Sequence, residues 1–297
     1  WSGAVLLATE NAPEGKHTWY NMFPQLGAPL GFILATGSFL LLGALMSDEA
    51  FMAWGWRIPF ISSAVLVIIG LYIRLKLHET PAFQKVLDTQ KEVNVPFKEV
   101  FTKHFPMLIL GTVAAICTFV VFYLTTVFAL NWGTTQLGYS RGEFLKLQLL
   151  ATLCFAAFIP LSAVCTEKFN RKTTSIAVCL AAAVFGLFFS SMLASGSTFI
   201  VFLFLCCGLA LMGMTYGPIG TVLSEIFPTS VRYTGSALTF NLAGIFGASF
   251  APLIATKLAT EYGLYAVGYY LSAASILSLL AFLAIRETKH DDVNNQI

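Results

Sequence analysis

The chain has 297 residues, of which 57% are hydrophobic and 11% charged, and its mean hydropathy is +0.77. Soluble domains contain fewer apolar and many more charged residues, so the composition excludes a soluble globular protein and predicts an all-α membrane protein. The net charge of +2 and the lack of a basic cluster interleaved with aromatic residues exclude a nucleic-acid partner. The six cysteines lack metal-ligand spacing, so we expect no metal and no cofactor.

The first residues, WSGAVLLATENAPEGKH, pass from an apolar run into polar residues. This order is typical of the end of a membrane helix, and we expect the chain to begin inside one. Eight further stretches provide the roughly 20 apolar residues that cross a bilayer, and their continuous apolarity excludes membrane strands. They are 24–46, 57–75, 107–130, 144–164, 173–194, 198–224, 234–255 and 265–285.

Lysine and arginine are distributed unevenly among the connecting segments. Thirteen of the 17 lie in one set of connections, and the alternate set holds only Arg57, Arg141, Lys146 and Lys257. Because basic residues accumulate on the cytoplasmic side, the first set and the C-terminus are predicted to be cytoplasmic.

Two pairs of segments recur along the chain. ATENAPEGKH and LSEIFPTSVR each carry a glutamate and, three residues later, a proline; Glu10 and Glu225 are 215 residues apart. RLKLHETP and AIRETKH repeat with Glu79 and Glu287 208 residues apart. Parallel repeats of one bundle produce such spacing. We therefore expect eight of twelve membrane helices, from the end of helix 4 through helix 12. The alternative is an eight-span protein that begins at Trp1.

The repeat divides the chain into four parts. We predict that 1–77 is the remainder of an N-terminal six-helix bundle and that 105–286 forms a C-terminal six-helix bundle. The polar segment 78–104 is predicted to be a cytoplasmic linker between them, and 287–297 a cytoplasmic tail.

The motifs LATENAP, FPQLGAP, WGWRIPF, LHETP and EIFPTSVRYTG resemble the major facilitator superfamily, and more narrowly its bacterial metabolite:proton symporters. EKFNRK is similar to a further loop motif of the superfamily, with Asn170 in place of a glycine. The resemblance implies a major facilitator fold in the bacterial inner membrane. It also implies import of a small organic acid or zwitterion with protons, by alternating access in a lipid bilayer. The oligomeric state is not indicated.

Charged residues at the predicted cytoplasmic helix ends are the candidates for a gate, since ion pairs there bias a two-state equilibrium. The candidates are Glu10, Glu167, Lys168, Arg171, Glu225 and Arg232. The alternative is that Arg232 only follows the positive-inside rule and that Glu225 is a solvated helix end.

Polar residues within spans usually face the interior of a bundle, which makes them candidates for the substrate pathway. They are Gln25, Arg57, Tyr123, Thr126, Gln148, Tyr216 and Asn241. For each of these except Arg57, the alternative is interhelical packing or a satisfied amide. Arg57 either lies at the interface between Trp54 and Trp56 or binds a carboxylate.

No aspartate or glutamate lies in the middle of a predicted span, so a proton carrier is expected at Glu10 or in helices preceding the chain. A facilitator or exporter of the same fold without proton coupling is therefore the alternative function. The four histidines all fall in predicted cytoplasmic segments without a catalytic cluster, which argues against a membrane enzyme.

Overall fold

The computed structural model describes residues 1–13, 15–76 and 96–285, and nearly all of them are helical. In chain order the helices are α1 Ser2–Glu10, α2 His17–Leu45, α3 Asp48–Ala53, α4 Ile58–Lys76, α5 Pro96–Lys103, α6 Phe105–Tyr123, α7 Ala129–Thr135, α8 Arg141–Phe169, α9 Arg171–Leu193, α10 Thr198–Glu225, α11 Arg232–Gly244, α12 Ala251–Tyr262 and α13 Leu264–Ala284. A 3-10 turn, Gly55–Arg57, precedes α4.

Within the described ranges, eight helical segments are long and apolar enough to cross a membrane, which confirms the predicted number. Two of them consist of two helices joined by a π turn. Leu124–Phe128 connects α6 to α7, and Ile245–Ser249 connects α11 to α12. A π turn has i→i+5 hydrogen bonds and changes the direction of the backbone groups that follow it.

The predicted start of the first complete span, at residue 24, was wrong. Helix α2 begins at His17 and contains Pro24 and Pro29 in its interior. Its first two turns include the polar residues His17, Thr18 and Asn21 and are followed by Pro24, so an apolar run does not reveal them. Membrane helices tolerate proline where neighbouring helices satisfy the freed backbone groups, and this half of α2 is the buried half.

Small residues allow the helices of the core to approach closely. A Cβ added to Gly268 of α13 would lie 2.2 Å from the Gly186 carbonyl oxygen of α9. Ser272 on the same face donates a hydrogen bond of 2.7 Å to the Ala183 carbonyl. At the second π turn, a Cβ added to Gly247 would lie 2.9 Å from the Ile116 carbonyl of α6. Such close backbone contacts are how membrane helices gain packing energy without a hydrophobic driving force.

Helices α1 and α2 contact α8, α10 and α11, so the two parts of the predicted repeat meet along these elements. The buried residues of α2 all lie between His17 and Pro29, whereas residues 60–73 of α4 are all exposed. One end of α2 is therefore closed against the second part of the chain, and its other end is open.

The four predicted parts of the chain remain a prediction. The end of the predicted linker forms α5, whose Val100 is buried beside Leu108 and Phe227. Residues 77–95 and 286–297 lie outside the described part, and these include most of RLKLHETP, AIRETKH and the predicted tail.

Candidate transport pathway and gate

Two of the predicted pathway residues, Thr126 and Gln148, meet at the first π turn. The side-chain amide of Gln148 donates hydrogen bonds to the backbone carbonyls of Thr126, at 2.7 Å, and Thr125, at 3.3 Å. The Thr126 hydroxyl donates to its own helix, at Phe122 O. Gln148 is only 1% exposed, so these bonds fix its amide at a point where the π turn leaves backbone carbonyls available.

A cavity of about 490 Å³ opens beside this π turn, between α2, α7 and the first turns of α8. Thr126 and Gln148 form part of its wall, together with Phe32 and Thr36 of α2 and Arg141 of α8. The volume is within the range of small-molecule sites. The sequence reasoning missed Arg141, because it placed this residue in an outer connection and not on a helix.

A second group of residues closes the space between α1, α2, α10 and α11. Gln25 is fully buried; its amide donates to Tyr216 O at 2.8 Å, and its oxygen accepts from the Trp1 indole at 2.9 Å. Trp1 stacks on Phe240 of α11, with ring centroids 3.7 Å apart. Gln25 and Tyr216 were predicted, whereas Trp1 and Phe240 were not, because stacked aromatic residues resemble ordinary apolar residues in a sequence.

Aromatic rings connect this closed group with the open cavity. The centroid of the Phe155 ring lies 5.9 Å from that of Tyr216 and 6.1 Å from that of Phe122. The Phe122 centroid in turn lies 6.0 Å from that of Phe32 on the cavity wall. A chain of ring contacts thus runs from the Gln25 group to the wall of the cavity.

The α2–α10 contact continues through Asn21, which is fully buried. Its amide donates to the Thr221 hydroxyl at 3.1 Å, and its oxygen has no hydrogen-bond partner among the described residues. A Cβ added to Gly220 would lie 2.6 Å from the same amide nitrogen, so glycine permits this approach.

The predicted gate residues Glu10 and Arg232 form an ion pair between α1 and α11. Arg232 Nη1 lies 3.1 Å from Glu10 Oε1, and each side chain is only 9% exposed. Arg232 Nε also donates to the Phe227 carbonyl at 3.3 Å. This pair joins the two parts of the predicted repeat, and it lies at the same end of α2 as His17, whose Nδ1 is 2.8 Å from Thr9 O.

Arg171 and Glu225 also form an ion pair, between the start of α9 and the end of α10. Both helices belong to the predicted C-terminal bundle, so this pair joins neighbours within one bundle. Its role therefore differs from that of the Glu10–Arg232 pair.

Glu167 and Lys168 are not brought to either ion pair. Both are exposed at the end of α8, and Lys168 Nζ lies 5.3 Å from the centroid of the Phe169 ring. Asn170, which replaces a glycine of the motif, has a positive φ of 68°, and its side chain accepts a hydrogen bond from Thr173 N at 2.8 Å. Asn170 thus provides the turn and the N-cap of α9.

Three predicted pathway residues lie apart from both groups. Arg57 is exposed; it donates to Ala53 O at 2.9 Å, and its guanidinium lies 4.3 Å from the centroid of the Trp56 ring. Asn241 is exposed and bonds to its own helix at Ala237 O. Tyr123 is half-buried, and its ring contacts Phe122. The pathway role of these three residues stays a prediction.

Comparison with known proteins identifies the family. The model described as "Major Facilitator Superfamily" matches residues 18–245, which is most of the chain. The chain belongs to this superfamily. Its members are membrane transporters and not enzymes, and this chain is accordingly a multi-pass membrane transporter.

Two relatives and one solved structure illustrate the similarity. The chain is 47% identical to the inner membrane metabolite transport protein YhjE of Escherichia coli K12, covering 99% of this chain and 68% of that protein. It is 30% identical to the shikimate transporter of the same organism, covering 97% and 67%.

A structure of the proton:xylose symporter XylE, bound to 6-bromo-6-deoxy-D-glucose, matches with a TM-score of 0.76 at 18% identity, covering 95% of this chain and 66% of that one. This likeness shows the fold. The chain spans about two thirds of the length of these proteins.

Proposed function

We propose that this chain belongs to a secondary active transporter that imports a small organic acid or zwitterion with protons, by alternating access. On this proposal the transporter lies in the bacterial inner membrane, and the end of the helices with the Glu10–Arg232 pair faces the cytoplasm, as does the C-terminus. The relatives named as metabolite and shikimate transporters support the class of substrate, and the fold shared with a proton:xylose symporter is compatible with proton coupling.

The observation that carries the proposal is the difference between the two ends of α2. At its start, α2 is closed against α10 by Asn21 and Gln25, beside the Glu10–Arg232 pair. Thr36 lies about 17 Å beyond Gln25 along the helix, and there α2 forms part of the wall of the open cavity. A pathway closed at one end and open at the other is one state of an alternating-access cycle.

Glu10 is our candidate for a proton carrier within this chain. Among the described residues, no aspartate or glutamate lies in the middle of a span, and Glu10 is the carboxylate that pairs across the two parts of the repeat. Protonation would remove its charge and release Arg232, which would link proton binding to opening of this end.

Uptake measurements test the proposal. Cells that express the gene encoding this chain are supplied with labelled shikimate, proline or glycine betaine, with and without a protonophore. We expect accumulation of at least one compound above the external concentration, and loss of that accumulation with the protonophore. Matched cells that carry the empty vector provide the background.

A facilitator without proton coupling is the second candidate, because no aspartate or glutamate among the described residues lies in the middle of a span. The carboxylate that pairs across the two predicted bundles, Glu10, lies at a helix end. It predicts uptake that stops at the external concentration and is unchanged by the protonophore. That result would contradict the proton-symport proposal and leave the transporter fold intact.

A further inference from the structure

The open cavity has one charged residue among the described residues that line it. This residue is Arg141, at the first position of α8. No carboxylate in the described part of the chain forms a salt bridge with it. The nearest acid in sequence, Glu143, accepts a hydrogen bond from Ser140 N at 3.0 Å and forms a capping box with that residue. The guanidinium of Arg141 is therefore available to an anion that enters the cavity.

Gln148 provides a second polar group on the same wall. It follows Arg141 by seven residues, which is nearly two turns, so both side chains lie on one face of α8, with backbone positions about 10 Å apart. The amide nitrogen of Gln148 is held by the carbonyls of Thr125 and Thr126. Its oxygen accepts no hydrogen bond from the described residues, so it is available to a donor in the cavity.

Most of the remaining wall is apolar, with Phe32, Phe39 and Leu145 among its residues, and its other polar residues are neutral: Thr36, Thr126, Asn131 and Thr134. An apolar wall with a few polar groups in fixed positions is the usual form of a small-molecule site. Arginine suits this position because its planar guanidinium binds a carboxylate through two parallel hydrogen bonds.

We propose that this cavity is a capture site for a carboxylate that also carries an O–H or N–H donor. Arg141 binds the carboxylate, and Gln148 Oε1 accepts the hydrogen bond from the donor. The inference rests on the proposed function, on which this end of the helices faces outward and receives the substrate before the pathway changes its access. It further specifies the substrate: a fully methylated ammonium or an unsubstituted acid satisfies only one of the two groups.

Binding to the purified protein tests the site without a proton gradient. The protein in detergent micelles is titrated with shikimate and with cyclohex-1-ene-1-carboxylate, which keeps the ring and the carboxylate but lacks the hydroxyls. Proline and glycine betaine form the zwitterionic pair, since proline has N–H donors and glycine betaine has none. Binding is measured by isothermal titration. We expect shikimate or proline to bind at least tenfold more tightly than its partner, because an unpaired Gln148 oxygen penalises the analogue.

Variants of α8 separate the two contacts. Arg141→Gln is expected to weaken binding of the preferred carboxylate at least tenfold, with a smaller loss in Arg141→Lys, which keeps the charge and loses the bidentate geometry. Lys146→Gln is the matched control, because Lys146 is an exposed cation on the same helix and lines a different cavity. Gln148→Leu is expected to abolish the preference between the paired ligands, whereas a purely structural role would weaken both equally.

The outcomes distinguish this site from the general proposal. If binding is observed and Arg141→Gln binds as well as Lys146→Gln, the capture site is wrong and the transporter proposal stands. If none of the four compounds binds or is taken up, the substrate class and the capture site both fail. Binding without proton-dependent uptake would keep the capture site and contradict only symport.

Discussion

The Glu10–Arg232 ion pair provides the sharpest test of the gate. Glu10→Gln removes the charge and keeps the length and one acceptor oxygen of the side chain. Exposed ion pairs contribute about 0.2–1 kcal/mol, and removal of one partner from a buried pair costs about 3–5 kcal/mol. With both side chains 9% exposed and an acceptor retained, we expect a loss of about 2 kcal/mol for the closed state relative to the open state.

A loss of this size changes the ratio of open to closed states about 30-fold, since about 1.4 kcal/mol corresponds to a factor of ten. The surroundings of Arg232 offer little compensation. Its Nε keeps the hydrogen bond to Phe227 O, while its Nη2 is buried without a partner among the described residues. The released guanidinium therefore gains solvation only when this end opens.

The assay uses a cysteine at Thr221, which is fully buried and accepts a hydrogen bond from Asn21 across the α2–α10 contact. Membranes containing Thr221→Cys, with and without Glu10→Gln, are treated with a maleimide carrying polyethylene glycol, and the labelled fraction is followed on gels. Labelling reports the open population when opening and closing are faster than the reaction. The protein without Thr221→Cys gives the background of the six native cysteines.

Glu167→Gln is the matched control, because Glu167 is an exposed acid at the end of α8 and forms no salt bridge in the described part. We expect labelling of Thr221→Cys to accelerate at least tenfold with Glu10→Gln and less than twofold with Glu167→Gln. Exchange of the charges, Glu10→Arg with Arg232→Glu, is expected to restore slow labelling. Equal rates for the two glutamine variants would refute the assignment of the gate.

Two further predictions concern contacts within the predicted C-terminal bundle. Arg171→Gln is expected to lower the Tm without changing the labelling of Thr221→Cys, because its partner Glu225 belongs to the same bundle; a change in labelling would contradict this. Gly268→Ala is expected to destabilise the protein by about 1–3 kcal/mol through overpacking. Gly142→Ala is the control and should be nearly neutral, because no atom lies within 4 Å of the added Cβ. Thermal unfolding in detergent compares the two variants.

The spans could be predicted from the sequence because apolarity over about 20 residues is a local property. The start of α2 could not, since its first turns are polar and contain Pro24. Those turns are stable because Asn21 and Gln25 bond to α10, and these partners are about 200 residues away in the sequence. A hydrogen bond between residues so far apart does not change the pattern of apolar residues around either of them.

The gate residues were predicted by charge and position, yet their pairing was not. Glu10, Glu167 and Glu225 are all acids at predicted cytoplasmic helix ends, and only the tertiary arrangement distinguishes them. Glu10 reaches across to α11, Glu225 pairs with Arg171 within the predicted C-terminal bundle, and Glu167 lies exposed. The role of an acid as a gate depends on which bundle holds its partner.

Arg57 and Arg141 show the same limit for the pathway. Both are arginines in predicted outer segments, and only Arg57 was a candidate, because it lies at the outer end of a predicted span. In the structure Arg57 is held by Trp56 and by its own backbone, whereas Arg141 lines the cavity. Gln148 is bonded to carbonyls of the π turn and lines the cavity. Arg141 lies on the same face of α8 and therefore lines it too.

The chemistry of the closed end is consistent with a pathway that must open again. The contact between α2 and α10 includes two polar bonds, from Asn21 to Thr221 and from Gln25 to Tyr216 O. Each such bond contributes about 1 kcal/mol net, because water replaces it when the surfaces separate. A wide apolar contact would add about 25 cal/mol for each Å² buried and would hold the helices in one state. On the proposed cycle, polar closure would keep the two states within a few kcal/mol, so that binding of a substrate or proton would shift the balance.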